Sequence, residues 1–189
     1  MKNIVIFASG SGTNAENIIK HFEKSSLAEV TLVLSNKRDA MVLNRANNYG
    51  KSAISFNKIA FNNGHILQIL QTLKPDLIVL AGFLWKVPTE ITQAFPNKII
   101  NIHPALLPKF GGKGMYGMHV HEAVVTQKET ESGITIHYVN ENYDEGNIIF
   151  QAKTTVLPSD TAEDVAQKIH QLEYMHFPEI IEKVLNEQA

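Results

Sequence analysis

An amide and an imidazole interrupt an otherwise apolar segment, IINIHP, at residues 99–104. Side chains of a strand alternate between the two faces of a sheet, so Asn101 and His103 are expected on the same side. The two side chains could donate hydrogen bonds to a developing oxyanion, and the imidazole could also transfer a proton. The pair therefore suits acyl transfer, although the same residues could also be a buried core histidine and a structural amide.

A carboxylate that could assist this pair lies in the segment NENYDEGNIIFQ, residues 140–151. Asp144 falls in a polar turn directly before an apolar run, where it faces either a crevice or solvent. If Asp144 reached His103, its charge would favour the imidazolium and raise the pKa of the histidine. We therefore expect Asp144 to hold His103 in its protonated form.

A glycine-rich segment, ASGSGTNAEN at residues 8–17, follows the first apolar run. Gly10 and Gly12 permit a tight turn, and the N-terminus of the next helix offers free N–H groups to a phosphate. The spacing of Gly10, Gly12 and Ala15 also satisfies the loose dinucleotide fingerprint. That interpretation needs an acidic residue after the second strand, but LSNKRDA stands there, so NAD is disfavoured and NADP remains an option. A phosphomonoester is the simpler ligand, and a glycine turn without a ligand is the alternative.

Short β-branched runs alternate with helical patterns over the first hundred residues. Such a pattern predicts a parallel sheet with helices on both faces; the runs are 3–8, 30–35, 52–56, 76–81 and 98–103. Ligands of such sheets bind at the carboxyl ends of the strands, where Asn101 and His103 fall. The fold class is thus α/β, with a Rossmann-like, mostly parallel twisted sheet.

The pattern changes after residue 104. Two longer runs, 133–139 and 147–156, predict an antiparallel extension of the sheet near the C-terminus. An amphipathic helix is predicted to close the chain, with Ser159 or Asp160 as its N-cap and a kink or split at Pro178.

Composition limits the class of protein. The formal net charge is −2 and the 189 residues include no cysteine, so we expect no nucleic-acid partner, no disulfide and a cytoplasmic location. No apolar stretch is long enough to span a membrane. The histidines His103, His119 and His121 could share a metal ion, but without an evident third acidic ligand we expect no metal. A single domain over residues 1–189 is predicted, and the oligomeric state is left open.

Five segments, in order and spacing, resemble the folate-dependent formyltransferases. They are FASGSGTN, LAGF, NIHPALLPKF, HEAV and YDEGNIIFQ, and the resemblance extends from residue 3 to about residue 185. Within this family, the N-terminal Gly-x-Gly-Thr-Asn segment resembles that of the members that act on phosphoribosylglycinamide in purine biosynthesis. The resemblance implies transfer of a formyl group from 10-formyltetrahydrofolate, as co-substrate, to the amino group of 5-phosphoribosylglycinamide.

The resemblance also implies roles for individual residues. Asn101, His103 and Asp144 match the catalytic residues of the family, and Asn101 also matches a folate contact. Substrate-binding positions, for the ribose phosphate and glycinamide, are matched by Gly12, Thr13, Asn14 and Glu173. Folate-binding positions are matched by Leu84, Trp85, Lys86 and Val87, with Lys58 as the nearest basic residue.

Two other functions remain open from the residues alone. In a 10-formyltetrahydrofolate hydrolase, water would replace the amine as the acceptor of the formyl group. In a non-catalytic nucleotide-binding module of Rossmann-like fold, the same loop would bind a ligand without turnover.

Overall fold

The computed structural model describes residues 1–187 as a seven-stranded sheet flanked by helices. In chain order the elements are β1 Lys2–Phe7, α1 Thr13–Phe22, β2 Ala28–Ser35, α2 Met41–Asn48, β3 Ser52–Ser55, α3 Lys58–Asn62, α4 His65–Leu73, β4 Leu77–Leu80, α5 Thr89–Ala94, β5 Ile99–His103, α6 Met118–Thr126, β6 Glu131–Tyr138, β7 Ile148–Thr155 and α7 Ala162–Glu187. The last two residues of the predicted domain, 188 and 189, lie outside the described residues.

The strand order is β3-β2-β1-β4-β5-β6-β7. Strands β1 to β5 are all parallel, whereas β6 pairs antiparallel with β5 and β7 pairs antiparallel with β6. The predicted fold class is therefore confirmed, including the antiparallel extension. The strand order reverses direction beside β1, because the chain runs outward from β1 to β3 and then returns to β4 on the other side of β1. This reversal opens a crevice between the loops that follow β1 and β4.

Two apolar cores cover the two faces of the sheet. Along β1, Ile4 and Ile6 enter the core formed with α1, α2, α6 and α7, whereas Val5 and Phe7 enter the core formed with α3, α4 and α5. All four side chains are at most 2% exposed. This continuous burial explains why the parallel strands carry apolar runs rather than an alternating pattern.

The helix α7 continues through Pro178 without a break, so the predicted split is wrong. Proline has no N–H to donate to the carbonyl four residues earlier, which here belongs to Tyr174. The side chain of Asn17, on α1, donates to that carbonyl oxygen from Nδ2 at 2.8 Å. A neighbouring helix thus supplies the hydrogen bond that the proline removes.

The start of α7 also differs from the prediction. Its N-cap is Thr161 rather than Ser159 or Asp160, because Thr161 Oγ1 accepts from the N–H of Asp164 at 3.2 Å. In return Asp164 Oδ2 accepts from the N–H of Thr161 at 2.9 Å. This reciprocal arrangement is a capping box, and it satisfies two N–H groups at the helix end. Within residues 1–187, no helix is both long and apolar enough to cross a membrane.

Candidate active site

A cleft of about 640 Å³ opens at the carboxyl ends of the parallel strands. Its walls come from distant parts of the chain that the sheet brings together, and every predicted site residue except Lys58 lines it. The contributing segments are residues 10–14, 80–87, 101–104, 112–118 and 142–144, together with His121, His137, Val139, Asn140, Ala166, Ile169, His170 and Glu173.

The end of β5 brings Asn101 and His103 to the cleft on the same face of the strand, as the sequence predicts. His103 is only 3% exposed. Its Nε2 lies 2.8 Å from the carbonyl oxygen of Phe110, which can only accept, so Nε2 carries a proton and donates it. Its Nδ1 lies 3.7 Å from Asp144 Oδ2. The expected proximity of His103 and Asp144 is therefore present at ion-pair distance.

The protonation of His103 differs from the expectation. Burial lowers the pKa of the imidazole below its ordinary value, and this outweighs the charge of Asp144 and the carbonyl of Phe110, which both raise it. The unliganded site thus favours a neutral His103 at neutral pH. Asp144 does favour the imidazolium, but desolvation of the ring is the larger effect, and the sequence does not reveal the degree of burial.

Asp144 is held in place by the loop that follows His103. Its Oδ2 accepts a 2.9 Å hydrogen bond from the backbone N–H of Gly112, and its φ of 54° places it in a tight turn. Burial favours the neutral carboxyl, but His137, His103 and the Gly112 N–H outweigh it, so the pKa of Asp144 is lowered. The group is therefore a carboxylate at neutral pH.

Thr135 and Gln151 fix the chain where it leaves His103, and neither residue was predicted from the sequence. Thr135 lies opposite His103 on β6; its hydroxyl donates to the Ala105 carbonyl at 2.7 Å and accepts from the Leu107 N–H at 3.0 Å. Gln151 donates from Nε2 to the same hydroxyl oxygen at 2.9 Å. The two buried contacts of Thr135 and the partly buried one of Gln151 hold the turn that follows the imidazole.

The glycine loop between β1 and α1 requires glycine at position 12. Gly12 has a φ of 76°, and a Cβ built there would lie 2.4 Å from the Cγ2 of Val42 on α2. The helix α1 begins at the next residue, Thr13, so its free N–H groups and positive dipole end face the cleft. Arg45 supports the loop from α2 by donating from Nε to the Ser11 carbonyl at 2.9 Å.

Glu173 is a buried carboxylate, 6% exposed, on the opposite wall formed by α7. Its Oε2 accepts from Nδ2 of Asn14 at 2.9 Å and lies 3.1 Å from Nδ1 of His170. The contact with Glu173 raises the pKa of His170. Both contacts engage Oε2, which leaves Oε1 available to a ligand. His170 was not predicted, although its spacing of three residues from Glu173 on one helix would have indicated the contact.

The segment Leu84–Val87 forms the rim of the cleft beside β1. The N–H of Leu84 donates to Ser9 Oγ at 2.9 Å, and Ser9 Oγ donates to Oδ1 of Asn36 at 2.6 Å. Leu84 and Lys86 are exposed at the rim, whereas Val87 is buried. The Trp85 ring packs between Phe56, Phe61 and Phe83, with ring centroids 6.0 to 6.4 Å away.

Lys58 is separate from this cleft. It is exposed in the first turn of α3 and does not line the cavity. Two lysines do line the cleft, Lys86 and Lys113, and the Nζ of Lys86 lies 5.6 Å from the ring centroid of Tyr143.

The histidines considered as a metal site are in different environments. His119 has an exposed side chain 3.6 Å from Glu122, whereas His121 is buried and its Nδ1 has no hydrogen-bond partner. Among residues 1–187, no three His, Cys, Asp or Glu side chains are grouped so that they could hold a metal ion.

Comparison with known proteins identifies the family of the chain. Residues 2–181 match the formyl transferase family. The chain is 35% identical to phosphoribosylglycinamide formyltransferase of Bacillus subtilis over 98% of its own length and 95% of the relative. It is 36% identical to the chloroplastic enzyme of that name from Arabidopsis thaliana, over 99% of this chain but only 66% of the longer relative. The chain thus spans about two thirds of the plant protein.

A solved structure gives the same result. Phosphoribosylglycinamide formyltransferase from Bacillus Halodurans superposes with a TM-score of 0.90 at 33% identity, covering 100% of this chain and 97% of that one. The chain therefore belongs to the formyl transferase family, within its phosphoribosylglycinamide formyltransferase branch.

Proposed function

We propose that the chain transfers the formyl group of 10-formyltetrahydrofolate to the amino group of 5-phosphoribosylglycinamide in purine biosynthesis. The observation that carries this proposal is the arrangement of the cleft. Asn101, His103 and Asp144 form one group of cleft residues, and Asn14 and Glu173 form a second group in the same cleft. A phosphorylated amine held at the second group would present its nitrogen to an acyl carbon beside the first.

The glycine loop would bind the phosphate. Gly12, Thr13 and Asn14 form the start of α1, where backbone N–H groups and the helix dipole favour an anion. Glu173, fixed by Asn14, would accept hydrogen bonds from the ribose or glycinamide through Oε1. Binding energy at the phosphate positions the nucleophile, and this proximity effect lowers the barrier to attack.

The folate would lie along the segment Leu84–Val87. Backbone groups and the apolar rim of Leu84 and Val87 suit a planar heterocycle, and Trp85 supports the segment from beneath through its aromatic neighbours. Asn101 lines the same cavity and would contact both the folate and the formyl group. Lys86, exposed at the rim, would supply a positive charge beside the bound folate.

The reaction follows from these positions. The free amine attacks the formyl carbon, a C–N bond forms, and the formyl oxygen becomes an oxyanion that Asn101 stabilises by donating from Nδ2. The attacking amine becomes acidic as the C–N bond forms, and the neutral His103 accepts its proton. Asp144, 3.7 Å away, stabilises the resulting imidazolium. The C–N10 bond then breaks and the proton passes to N10 of the leaving tetrahydrofolate. Acid–base and hydrogen-bonding groups suffice for this step.

Several further properties belong to the same proposal. The chain acts as one formyltransferase domain over residues 1–189, its partners are the two small-molecule substrates rather than nucleic acid, and its location is cytoplasmic. The even charge balance and the absence of cysteine support these statements.

The proposed function is tested by incubating the protein with 10-formyltetrahydrofolate in the presence and absence of 5-phosphoribosylglycinamide. Formation of tetrahydrofolate that depends on the glycinamide supports formyl transfer. Equal release of formate without the glycinamide would identify a hydrolase instead. Ligand binding without any turnover would identify a non-catalytic nucleotide-binding module.

A further inference from the structure

His137 lies directly opposite Asn101 in the antiparallel pair formed by β5 and β6. The two side chains share one face of the sheet, and both line the cleft. His137 is only 2% exposed, and Nδ2 of Asn101 lies 3.2 Å from Nε2 of its ring. None of the proposed steps of formyl transfer involves this buried imidazole.

The hydrogen-bond partners of His137 define its tautomer. Nδ1 lies 2.8 Å from the carbonyl oxygen of Tyr138, which can only accept, so Nδ1 carries the proton. Nε2 faces the amide nitrogen of Asn101, which can only donate, so Nε2 presents its lone pair. The same nitrogen is 3.6 Å from Asp144 Oδ1, beyond hydrogen-bond length. Asn101 is therefore its nearer partner.

This contact has a consequence for the oxyanion. The side-chain amide of asparagine can rotate by half a turn, because the torsion about its terminal bond is broad and roughly two-fold. In the observed orientation one Nδ2 proton is donated to His137 and the second remains for the formyl oxygen. In the reversed orientation Oδ1 would take the place of Nδ2, and an oxygen lone pair would face Nε2.

We propose that His137 is a positioning residue that fixes the amide orientation of Asn101, so that Nδ2 rather than Oδ1 meets the developing oxyanion. This inference rests on the proposed formyl transfer. His137 itself touches neither the amine nor the formyl carbon in that mechanism. Its contribution is the removal of the unproductive amide orientation before the substrates react.

The test replaces the imidazole by a ring of similar size that cannot accept a hydrogen bond, in His137→Phe. We expect kcat for formyl transfer to fall roughly tenfold, equivalent to about 1.4 kcal/mol, the size of one hydrogen bond. KM for 5-phosphoribosylglycinamide should change little, because that substrate is bound by the glycine loop and Glu173 rather than by Asn101. His137→Gln should restore part of the activity, since its Oε1 can accept from Asn101.

A double-mutant cycle separates this role from a structural one. In the Asn101→Ala background, His137→Phe should cause less than about a twofold further loss, because there is no amide left to orient. Equal losses in both backgrounds would overturn the proposal, as would wild-type kcat in His137→Phe. The exposed His65 on α4 gives the matched control, His65→Phe, which should keep full activity.

Two further measurements keep the test decisive. If His137→Phe does not fold, judged by its denaturant midpoint, the comparison is made between His137→Gln and His137→Met, which are similar in length but differ in the acceptor. Equal activity of these two variants would overturn the positioning role. If the wild type itself transfers no formyl group, the proposed function fails, and that outcome is distinct from a failure of the role of His137.

Discussion

Asn14 donates a hydrogen bond from Nδ2 to Oε2 of Glu173 across 159 positions of sequence, at 2.9 Å. The contact joins the first turn of α1, beside the glycine loop, to the middle of α7. It buries a carboxylate that is 6% exposed and fixes the orientation of that carboxylate towards the cleft. One hydrogen bond therefore links α1 and α7, the two helices that contribute to the proposed substrate site.

Replacement of this carboxylate should weaken substrate binding more than catalysis. In Glu173→Gln we expect KM for 5-phosphoribosylglycinamide to rise roughly tenfold or more, because a hydrogen bond to a charged group contributes about 1.5–3 kcal/mol. KM for the folate should stay within about twofold. Steady-state kinetics with each substrate varied in turn provides the measurement. Glu179→Gln, on an exposed position of the same helix, is the control and should match the wild type.

The glycine at position 12 should be required for the fold as well as for the phosphate site. Gly12→Ala places a Cβ 2.4 Å from Val42 Cγ2 at a φ of 76°, so we expect a loss of about 1–3 kcal/mol in unfolding free energy. Gly10→Ala is the matched comparison, since its Cβ would meet nothing within 4 Å. Urea unfolding of the two variants measures the difference. Equal stability of both would contradict the close packing of α2 on the loop.

The basic residue at the folate end of the cleft should be Lys86 rather than Lys58. Of these two lysines, Lys86 lines the cavity and Lys58 does not, so Lys86→Gln should raise KM for 10-formyltetrahydrofolate by roughly two- to fivefold, the size of an exposed charge interaction. Lys58→Gln should leave that KM unchanged. A larger effect from Lys58→Gln would reverse this assignment.

Stability should fall as the pH decreases below about 6.5. Burial lowers the pKa of His103 and of His121 from the ordinary 6.5, so the unfolded chain takes up protons that the folded chain does not. The stabilisation by each group is complete above 6.5 and is lost as the pH falls towards the lowered pKa, by up to about 1.4 kcal/mol per pH unit. Urea unfolding between pH 5 and pH 8 measures this slope.

Removal of one of these histidines provides the control. His121→Leu replaces a buried imidazole by an apolar side chain, so the decline in unfolding free energy below pH 6.5 should become shallower. The pKa of His170 is raised, so its contribution runs in the opposite sense and is lost as the pH rises. An equally steep decline in the wild type and in His121→Leu would contradict the lowered pKa of His121.

Long apolar patterns were sufficient to predict most of the sheet. The runs at 3–8 and 76–81 correspond to β1 and β4, and the two later runs correspond to β6 and β7. The short helices α3 and α5, of five and six residues, were not predicted. Elements of that length contain fewer than two helical turns, so they show no apolar period, and tertiary packing decides their conformation.

The site was predictable where residue type carried chemistry or where a segment resembled a known family. Asn101, His103 and Asp144 were predicted from their residue types and positions, Asn14 and Glu173 from the resemblance, and all five line the cleft. His137 was missed because its strand, GITIHYV, reads as core, although polar residues at 135 and 137 alternate with isoleucine and so mark one face as polar. The lowered pKa of His103 could not be predicted, because it depends on how deeply the fold buries the ring.

The central claim is that His103 performs proton transfer in formyl transfer. The most direct measurement compares kcat of the wild type and of His103→Ala with saturating 10-formyltetrahydrofolate and 5-phosphoribosylglycinamide. We predict a loss of at least about 100-fold, while binding of 5-phosphoribosylglycinamide, measured by calorimetry, remains close to that of the wild type. Formyl transfer by His103→Ala at the wild-type rate would contradict the account.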